Sequence, residues 1–343
     1  MLEPNNNESI GLGSIFGAHH EALPKEFFDH ESMDSLLTAV DRFDPDLAMF
    51  FQYYEWNLKS NKIDFSLVLP TYLFGGIRLA IKTTTHGILD RIRDFTSLPS
   101  QALQTLTTKI EEQDAQDPLL PRAISLSFER IVATMSELNF VFIDFDESIK
   151  LNAKNPQLST IFGAFGESIG KDSSSISILE DACDKSRLAH CGIGTRNGST
   201  RYKVYLEGTL SGFLDSPAGK SCQHLFGDFL HELKDLAELI GDRLCHMVID
   251  VSNSQIIRSG FELNIDSRHD SQYGNAVVNT DIWKQYATLS NPKPLYQLIK
   301  NKHHKITHAN GNTSELFISH LKLSFDGSNT PEWKVYFSCS SDF

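Results

Sequence analysis

Short runs in which apolar and polar side chains alternate recur along this chain, mostly in pairs. "FFQYYEWNL" is followed by "KIDFSLVLP" and then "GGIRLAIKTTT"; "ELNFVFIDF" leads into "ESIKLNAK"; "CHMVIDVSN" precedes "SGFELNID". "LAHCGIGTR" turns through Asn197-Gly198 into "TRYKVYLEG", and "LFISHLKLSF" through Asp326-Gly327 into "EWKVYFSC". A period of two predicts strands, and Asn-Gly or Asp-Gly between two such runs predicts a hairpin. Between the pairs, "ESMDSLLTAVDRF", "SQALQTLTTKIEEQ", "SSISILEDACDKSR", "CQHLFGDFLHELKDLAELIGDRL" and "NTDIWKQYATL" read as helices. In the fourth, Leu225, Phe229, Leu233 and Leu236 form an apolar stripe that faces a core. "HCGIGTRNGSTRYKVYLE" lies over "HLKLSFDGSNTPEWKVYFS" nearly end to end, so internal repetition is expected. The pattern predicts a loose arm over residues 1–25 and one α+β domain over 26–343, built from repeated helix–hairpin units.

Parity divides each second strand into two faces. Arg201, Lys203 and Tyr205 oppose Tyr202, Val204 and Leu206, and Asp64 and Ser66 oppose Ile63, Phe65 and Leu67. Arg78 and Lys82 oppose Ile77, Leu79 and Ile81, while Lys150 and Asn152 oppose Ile149 and Leu151. Glu262 and Asn264 oppose Leu263 and Ile265, and Lys334, Tyr336 and Ser338 oppose Val335 and Phe337. Strand by strand, a sheet with one wet face accounts for this. Together, polar faces recurring at matching places point to a closed sheet: apolar faces against an outer ring of helices, polar faces around a shared lumen.

Composition sharpens the picture. With 31 Lys+Arg against 44 Asp+Glu the chain carries a formal charge of −13, which argues against a nucleic-acid or anionic-membrane binder. Cations gathered on strand faces of an acidic protein point instead to a small anionic ligand. The cysteines Cys183, Cys191, Cys222, Cys245 and Cys339 show no zinc-type spacing and read as buried thiols of a reducing compartment. No apolar run approaches the roughly 18 residues of a membrane span, and "MLEPNNNESIGLGSIFGAHH" lacks a signal-peptide pattern, so a cytoplasmic protein is expected. "NKHHKITH", with His303, His304 and His308, lacks the Glu of a zinc-protease pair and reads as a solvated loop.

The strands resemble those of the aromatic prenyltransferases with the PT-barrel (ABBA) fold, dimethylallyltryptophan synthase type. "KIDFSLVLP" is similar to the family's Glu-aromatic-Ser strand, with Asp64 in the place of Glu; "GGIRLAIKTTTHG" to the strand that contributes Arg78. "ESIKLNAKNP" matches a Lys-x-Tyr strand at Lys150 but has Asn152 for Tyr; "TRYKVYL" matches Arg-x-Lys-x-Tyr in full; "EWKVYFS" matches the last strand at Tyr336. Glu262 and Asn264 depart from the family's Lys and Tyr. The resemblance implies a closed antiparallel barrel of about ten strands with a polar lumen. It implies transfer of a dimethylallyl or longer prenyl group from its diphosphate to an electron-rich acceptor, an indole or tryptophan derivative, in secondary metabolism and alkaloid biosynthesis. Asp64 would be the catalytic acid or base at the acceptor's N–H, or a metal ligand; Arg78, Lys150, Arg201, Lys203 and Lys334 would hold the diphosphate; Tyr205 and Tyr336 would shield the cation. No cofactor is expected, Mg2+ entering at most as a modulator. The partners would be prenyl diphosphate and a small aromatic or peptide acceptor, with no nucleic acid or membrane, in a monomer or homodimer. A terpene cyclase using the same chamber, and a non-catalytic barrel binding an anionic lipid or terpenoid, are the alternatives.

Overall fold

The computed structural model describes residues 18–19, 52–58, 62–70, 121–128, 138–152, 157–163, 172–196, 199–287, 297, 299–300, 303–309, 311 and 313–342. Of some strand residues, among them 52–57, 62–70 and 121–128, only the backbone is described. The N-terminal arm, apart from residues 18–19, the first two helical stretches and the segment with Arg78 lie outside these residues.

Among the described residues, eleven strands form one sheet: β1 (Gln52–Asn57), β2 (Lys62–Pro70), β3 (Pro121–Phe128), β4 (Leu138–Lys150), β5 (Arg187–Arg196), β6 (Ser199–Thr209), β7 (Leu244–Ser252), β8 (Gln255–Asn264), β9 (His304–Thr307), β10 (Thr313–Phe325) and β11 (Glu332–Asp342). All its pairings are antiparallel. β1 to β8 pair in chain order, β8 pairs with β10, and β11 pairs with both β10 and β1. Short β9 adds to the remaining edge of β10.

Both anticipated glycine turns join paired strands, β5 to β6 and β10 to β11. Gly327 supplies a positive φ of 80° in the second. β7 and β8 are joined through Asn253 and Ser254, both at positive φ (50° and 59°), which suits a tight hairpin to the strand twist. Two expectations need correction. "ELNFVFIDF" and "ESIKLNAK" are not two strands of a hairpin but one 13-residue strand, β4, whose pairing with β5 shifts between Asp144 and Ile149. Its alternation changes phase at that irregularity, which in sequence looks like a turn. The second partner of β2 is β3, whose run "PRAISLSF" the alternation did not single out.

Helices fill the connections: α1 (Gln157–Gly163), α2 (Ser173–Ala182), α3 (Leu210–Asp215), α4 (Pro217–Phe226), α5 (Leu230–Ile240), α6 (Ser271–Val278) and α7 (Asp281–Tyr286). Asp172, Thr209, Ser216, Asp270 and Thr280 cap five of them by accepting a backbone N–H. The long helix anticipated over residues 222–244 is broken. Gly227, at φ 53°, ends α4, and a 3-10 turn over Gly227–Phe229 leads into α5. The apolar stripe survives the break, since Leu225, Phe229, Leu233 and Leu236 are all buried.

The main core lies between these helices and one face of the sheet. Tyr202, Val204 and Leu206 of β6 belong to it, as do Phe261 of β8 and Trp333 of β11. Phe226 of α4 packs on Phe261 at 5.6 Å, and Trp283 of α7 lies edge-on to Trp333 at 4.8 Å. Cys183, Cys191, Cys222 and Cys245 are buried, and burial raises Cys222 to about 11 and Cys245 to about 12. They are packing residues. Among the described residues no helix is long and apolar enough to cross a membrane.

Ala18–His19 is helical, and His19 is buried. Its Nδ1 lies 3.0 Å from Nδ1 of His304, and its Nε2 2.9 Å from Ser314 Oγ, which His308 also approaches at 2.7 Å. At this point the region read as a loose arm is docked on β9 and β10. "NKHHKITH" accordingly supplies a strand and a docking contact rather than a solvated loop.

Candidate active site

Residues directly opposite in an antiparallel pair share a face. Starting from Lys203, register reaches Gly192 and Phe142 on one side and Asp250 and Arg258 on the other. Starting from Tyr205, it reaches His190 and Asp144, and in the other direction Val248, Gly260, Ser324 and Glu332. A third row joins His246, Glu262, Lys322 and Lys334, and a fourth Asn264, His320, Tyr336, Glu55 and Asp64. The face away from the helices is therefore polar through much of the sheet.

That face is concave. Tyr205 and Lys322 stand on β6 and β10, with β7 and β8 between them, a separation of about 14 Å in a flat sheet. Yet Lys322 Nζ is 3.4 Å from the Tyr205 hydroxyl and 4.9 Å from the ring centroid. Phe142, Tyr205 and Val248 form a small apolar cluster of their own, apart from the main core. Gly192 makes room for it, because a Cβ there would meet the Phe142 ring at 2.2 Å.

Ion pairs organise the cations. The Arg201 guanidinium donates to both Asp250 oxygens, Nε to Oδ1 at 3.2 Å, and Lys203 Nζ lies 4.0 Å from Oδ2. Lys322 donates to Glu262 at 2.8 Å, and His246 lies 3.8 Å from the same carboxylate. Glu332 is shared between Arg258 at 2.9 Å and Lys334 at 4.0 Å. Burial lowers the Lys203 ammonium to about 7; Lys322, Arg201 and Lys334 push the same way, and Asp250 opposes them. Cations from β6, β10 and β11 thus act on one another. Burial would raise the Glu262 carboxyl, but Lys322 and the nearby His246 hold it well below the ordinary carboxylate range.

The two tyrosines share one arrangement. Tyr205 stacks on His190 with centroids 3.8 Å apart, and Tyr336 stacks on His320 at 4.0 Å, each histidine directly across the ladder. Burial, with His246 and Lys322 nearby, keeps His190 well below its ordinary value and hence neutral near pH 7.

Of the residues singled out from sequence, Arg201, Lys203, Lys334, Tyr205 and Tyr336 stand on this face together. Asp64 lies opposite Glu55 in the fourth row; only its backbone is described. Arg78 lies outside the described residues. Lys150 is exposed at the end of β4, opposite Arg187, and is not brought into the cluster. Sequence reading passed over Lys322, Asp250, His190 and His320. Lys322 stands on the first strand of its hairpin, in "LFISHLKLSF", where the polar face is less regular. Glu262 stands directly across from Lys322.

Several solved structures share this architecture. The 5-dimethylallyltryptophan synthase from Streptomyces coelicolor matches with a TM-score of 0.55 over 96% of this chain and 97% of its own, at 11% identity. The apo form of prenyltransferase PriB matches with 0.54 over 96% of each chain at 11% identity. NotF, in complex with brevianamide F and DMSPP, matches with 0.54 over 98% of this chain and 95% of its own, again at 11% identity. No protein-family model and no curated protein matches the sequence. Likeness at this identity speaks to architecture, and the chain shares its overall fold with these aromatic prenyltransferases.

Proposed function

We propose that the sheet closes into a barrel through β11, that its concave polar face lines a chamber, and that the chamber is the active site of an aromatic prenyltransferase. The donor is dimethylallyl diphosphate or a longer homologue, and the acceptor an indole or tryptophan derivative. The observation that carries this reading is the convergence of Arg201, Lys203, Lys322 and Lys334 beside two stacked tyrosines on one concave face. The fold supports it: a PriB ternary complex holds L-tryptophan and dimethylallyl thiolodiphosphate.

In this reaction the bond between C1 of the prenyl group and the bridging oxygen breaks, and its electron pair leaves with the diphosphate. A ring carbon of the acceptor attacks C1, and the ring then loses a proton. Guanidinium and ammonium groups suit the first step because they meet charge as it develops on the leaving oxygens. The buried hydroxyl of Ser324, without a hydrogen-bond partner among the described residues, stands in the row beside Lys322 and offers a further donor. Tyr205 and Tyr336 present π faces to the allylic cation and exclude water from it. Asp64, with Glu55 opposite, is the acid assigned to the acceptor's N–H. Arg78 remains a diphosphate ligand on the resemblance alone, and Lys150 is left out. No cofactor enters this scheme, and Mg2+ is a modulator.

Incubating the protein with dimethylallyl diphosphate, with and without L-tryptophan and with and without EDTA, tests the proposal. A prenylated indole supports it, with activity surviving EDTA. Terpene products formed without acceptor indicate a cyclase, and binding without turnover a carrier; either overturns it.

A further inference from the structure

The cation cluster is not left bare. Among the described residues, Arg201, Lys203, Arg258, Lys322 and Lys334 meet three carboxylates, Asp250, Glu262 and Glu332, and each carboxylate lies near two basic groups. Asp250 is the most deeply placed, at 1% exposure, and it grips the Arg201 guanidinium with both oxygens. Gathering these cations out of water without an anion is unfavourable, and an internal carboxylate offsets it. A planar guanidinium offers a carboxylate and a phosphate the same fork of donors. When Asp250 holds that fork, a diphosphate cannot hold all of it.

We infer that Asp250, and more weakly Glu332, are resting counter-ions that compete with the diphosphate for these cations. This rests on the prenyltransferase reading and deepens it. The carboxylates hold Arg201, Lys203, Arg258 and Lys334 in place. With donor bound, Arg201 and Lys203 turn toward phosphate oxygens while Asp250 keeps pulling against the anion. After the prenyl group has left, that pull speeds departure of the diphosphate. Asp250 is a positioning residue acting through Arg201, and it favours turnover at the expense of tight binding.

Binding of inorganic pyrophosphate to wild type, Asp250→Asn and Glu332→Gln, measured by calorimetry and by the shift in unfolding temperature, tests this. Removing one carboxylate should tighten pyrophosphate by about tenfold, the scale of one charge-assisted hydrogen bond. Ligand should also raise the unfolding temperature more in the variants than in wild type. In turnover the KM for donor and kcat should fall together, and inhibition by pyrophosphate should strengthen; a purely structural lesion has no reason to tighten a ligand. Asp250→Glu, which keeps the charge, should return affinity toward wild type. Should Asp250→Asn fail to fold, Glu332→Gln, at a less buried position, carries the test. Unchanged or weaker pyrophosphate binding in the folded variants overturns the inference. Failure of wild type to bind pyrophosphate at all overturns the anion-site reading beneath it, a distinguishable result.

Discussion

The hairpins β5–β6 and β10–β11 share a cross-strand histidine–tyrosine stack, His190 on Tyr205 and His320 on Tyr336, and differ one register step away. There Lys203 faces Gly192, whereas Lys334 faces Lys322. A second difference follows the sequence overlay: Arg201 precedes Tyr202-Lys203 where Glu332 precedes Trp333-Lys334. The outer faces stayed alike, with Tyr202 and Trp333 both buried in the main core. Divergence between the copies is concentrated on the concave face. Packing against helices tolerates little change in volume, while a polar face can exchange charges if a neighbour compensates. Here the neighbour is β7–β8, which sets Asp250 against Arg201 and Arg258 against Glu332. One hairpin thus offers a guanidinium, one ammonium and, over Gly192, the Phe142 ring; the other offers two ammonium groups and a carboxylate.

Making the first hairpin copy the second has the largest expected effect. Arg201→Glu places a carboxylate against buried Asp250 and should destabilise the fold by about 3–5 kcal/mol, the usual consequence of breaking a buried pair. Urea unfolding measures this. Adding Asp250→Arg to the same chain restores an opposite-charge pair and should recover most of the loss. An Arg201→Glu variant as stable as wild type would show that the pair does not hold β6 to β7.

The next effect comes from cation redundancy. Lys203 has glycine across the ladder, while Lys322 and Lys334 stand directly opposite each other. Lys203→Ala should therefore lower kcat/KM for dimethylallyl diphosphate by about 10²–10³, the scale for one donor aimed at developing charge. Lys322→Ala should cost about tenfold, because Lys334 remains across from it. Equal losses would mean that the two hairpins contribute alike and that the register difference has no functional weight.

How much of this the sequence carried depends on which signal was read. Alternation located β1, β2, β6, β8 and β11, and the two glycine turns located both hairpins, because the two-residue period and the turn chemistry are local. β3 carries the same signal, Ile124, Leu126 and Phe128 alternating with Ser125 and Ser127, but in a run with no glycine turn to mark it, while the alternation of β4 divides at the shift after Asp144. The stripe of the long helix continues through Gly227, so the pattern shows one helix where the backbone conformation has a break. At the site, parity placed Arg201, Lys203, Tyr205, Lys334 and Tyr336 on one face. It could not supply Lys322 against Glu262 or Asp250 against Arg201, since those contacts depend on register between strands far apart in sequence. The docking of His19 on Ser314 is non-local in the same way.

The smallest effect tests the first hairpin alone. Lys203 stands near 7 in the folded protein, against about 10.4 in an unfolded chain. Between those values the unfolded chain holds a proton that the folded chain has released, so this group makes stability rise with pH across the window. Below about pH 7 both states are protonated and the group's contribution no longer varies with pH. Diphosphate binding responds in the opposite sense, because the anion favours the charged ammonium. Affinity should be greatest below about pH 7 and fall above it, and binding at pH 8 should draw a proton from the buffer. Calorimetry in two buffers of different ionisation enthalpy measures that uptake. The diphosphate titrates in the same range, so the informative quantity is the difference between wild type and Lys203→Met. If the two take up the same number of protons, the ammonium at this position does not meet the leaving group, and the first hairpin must work through Arg201 alone.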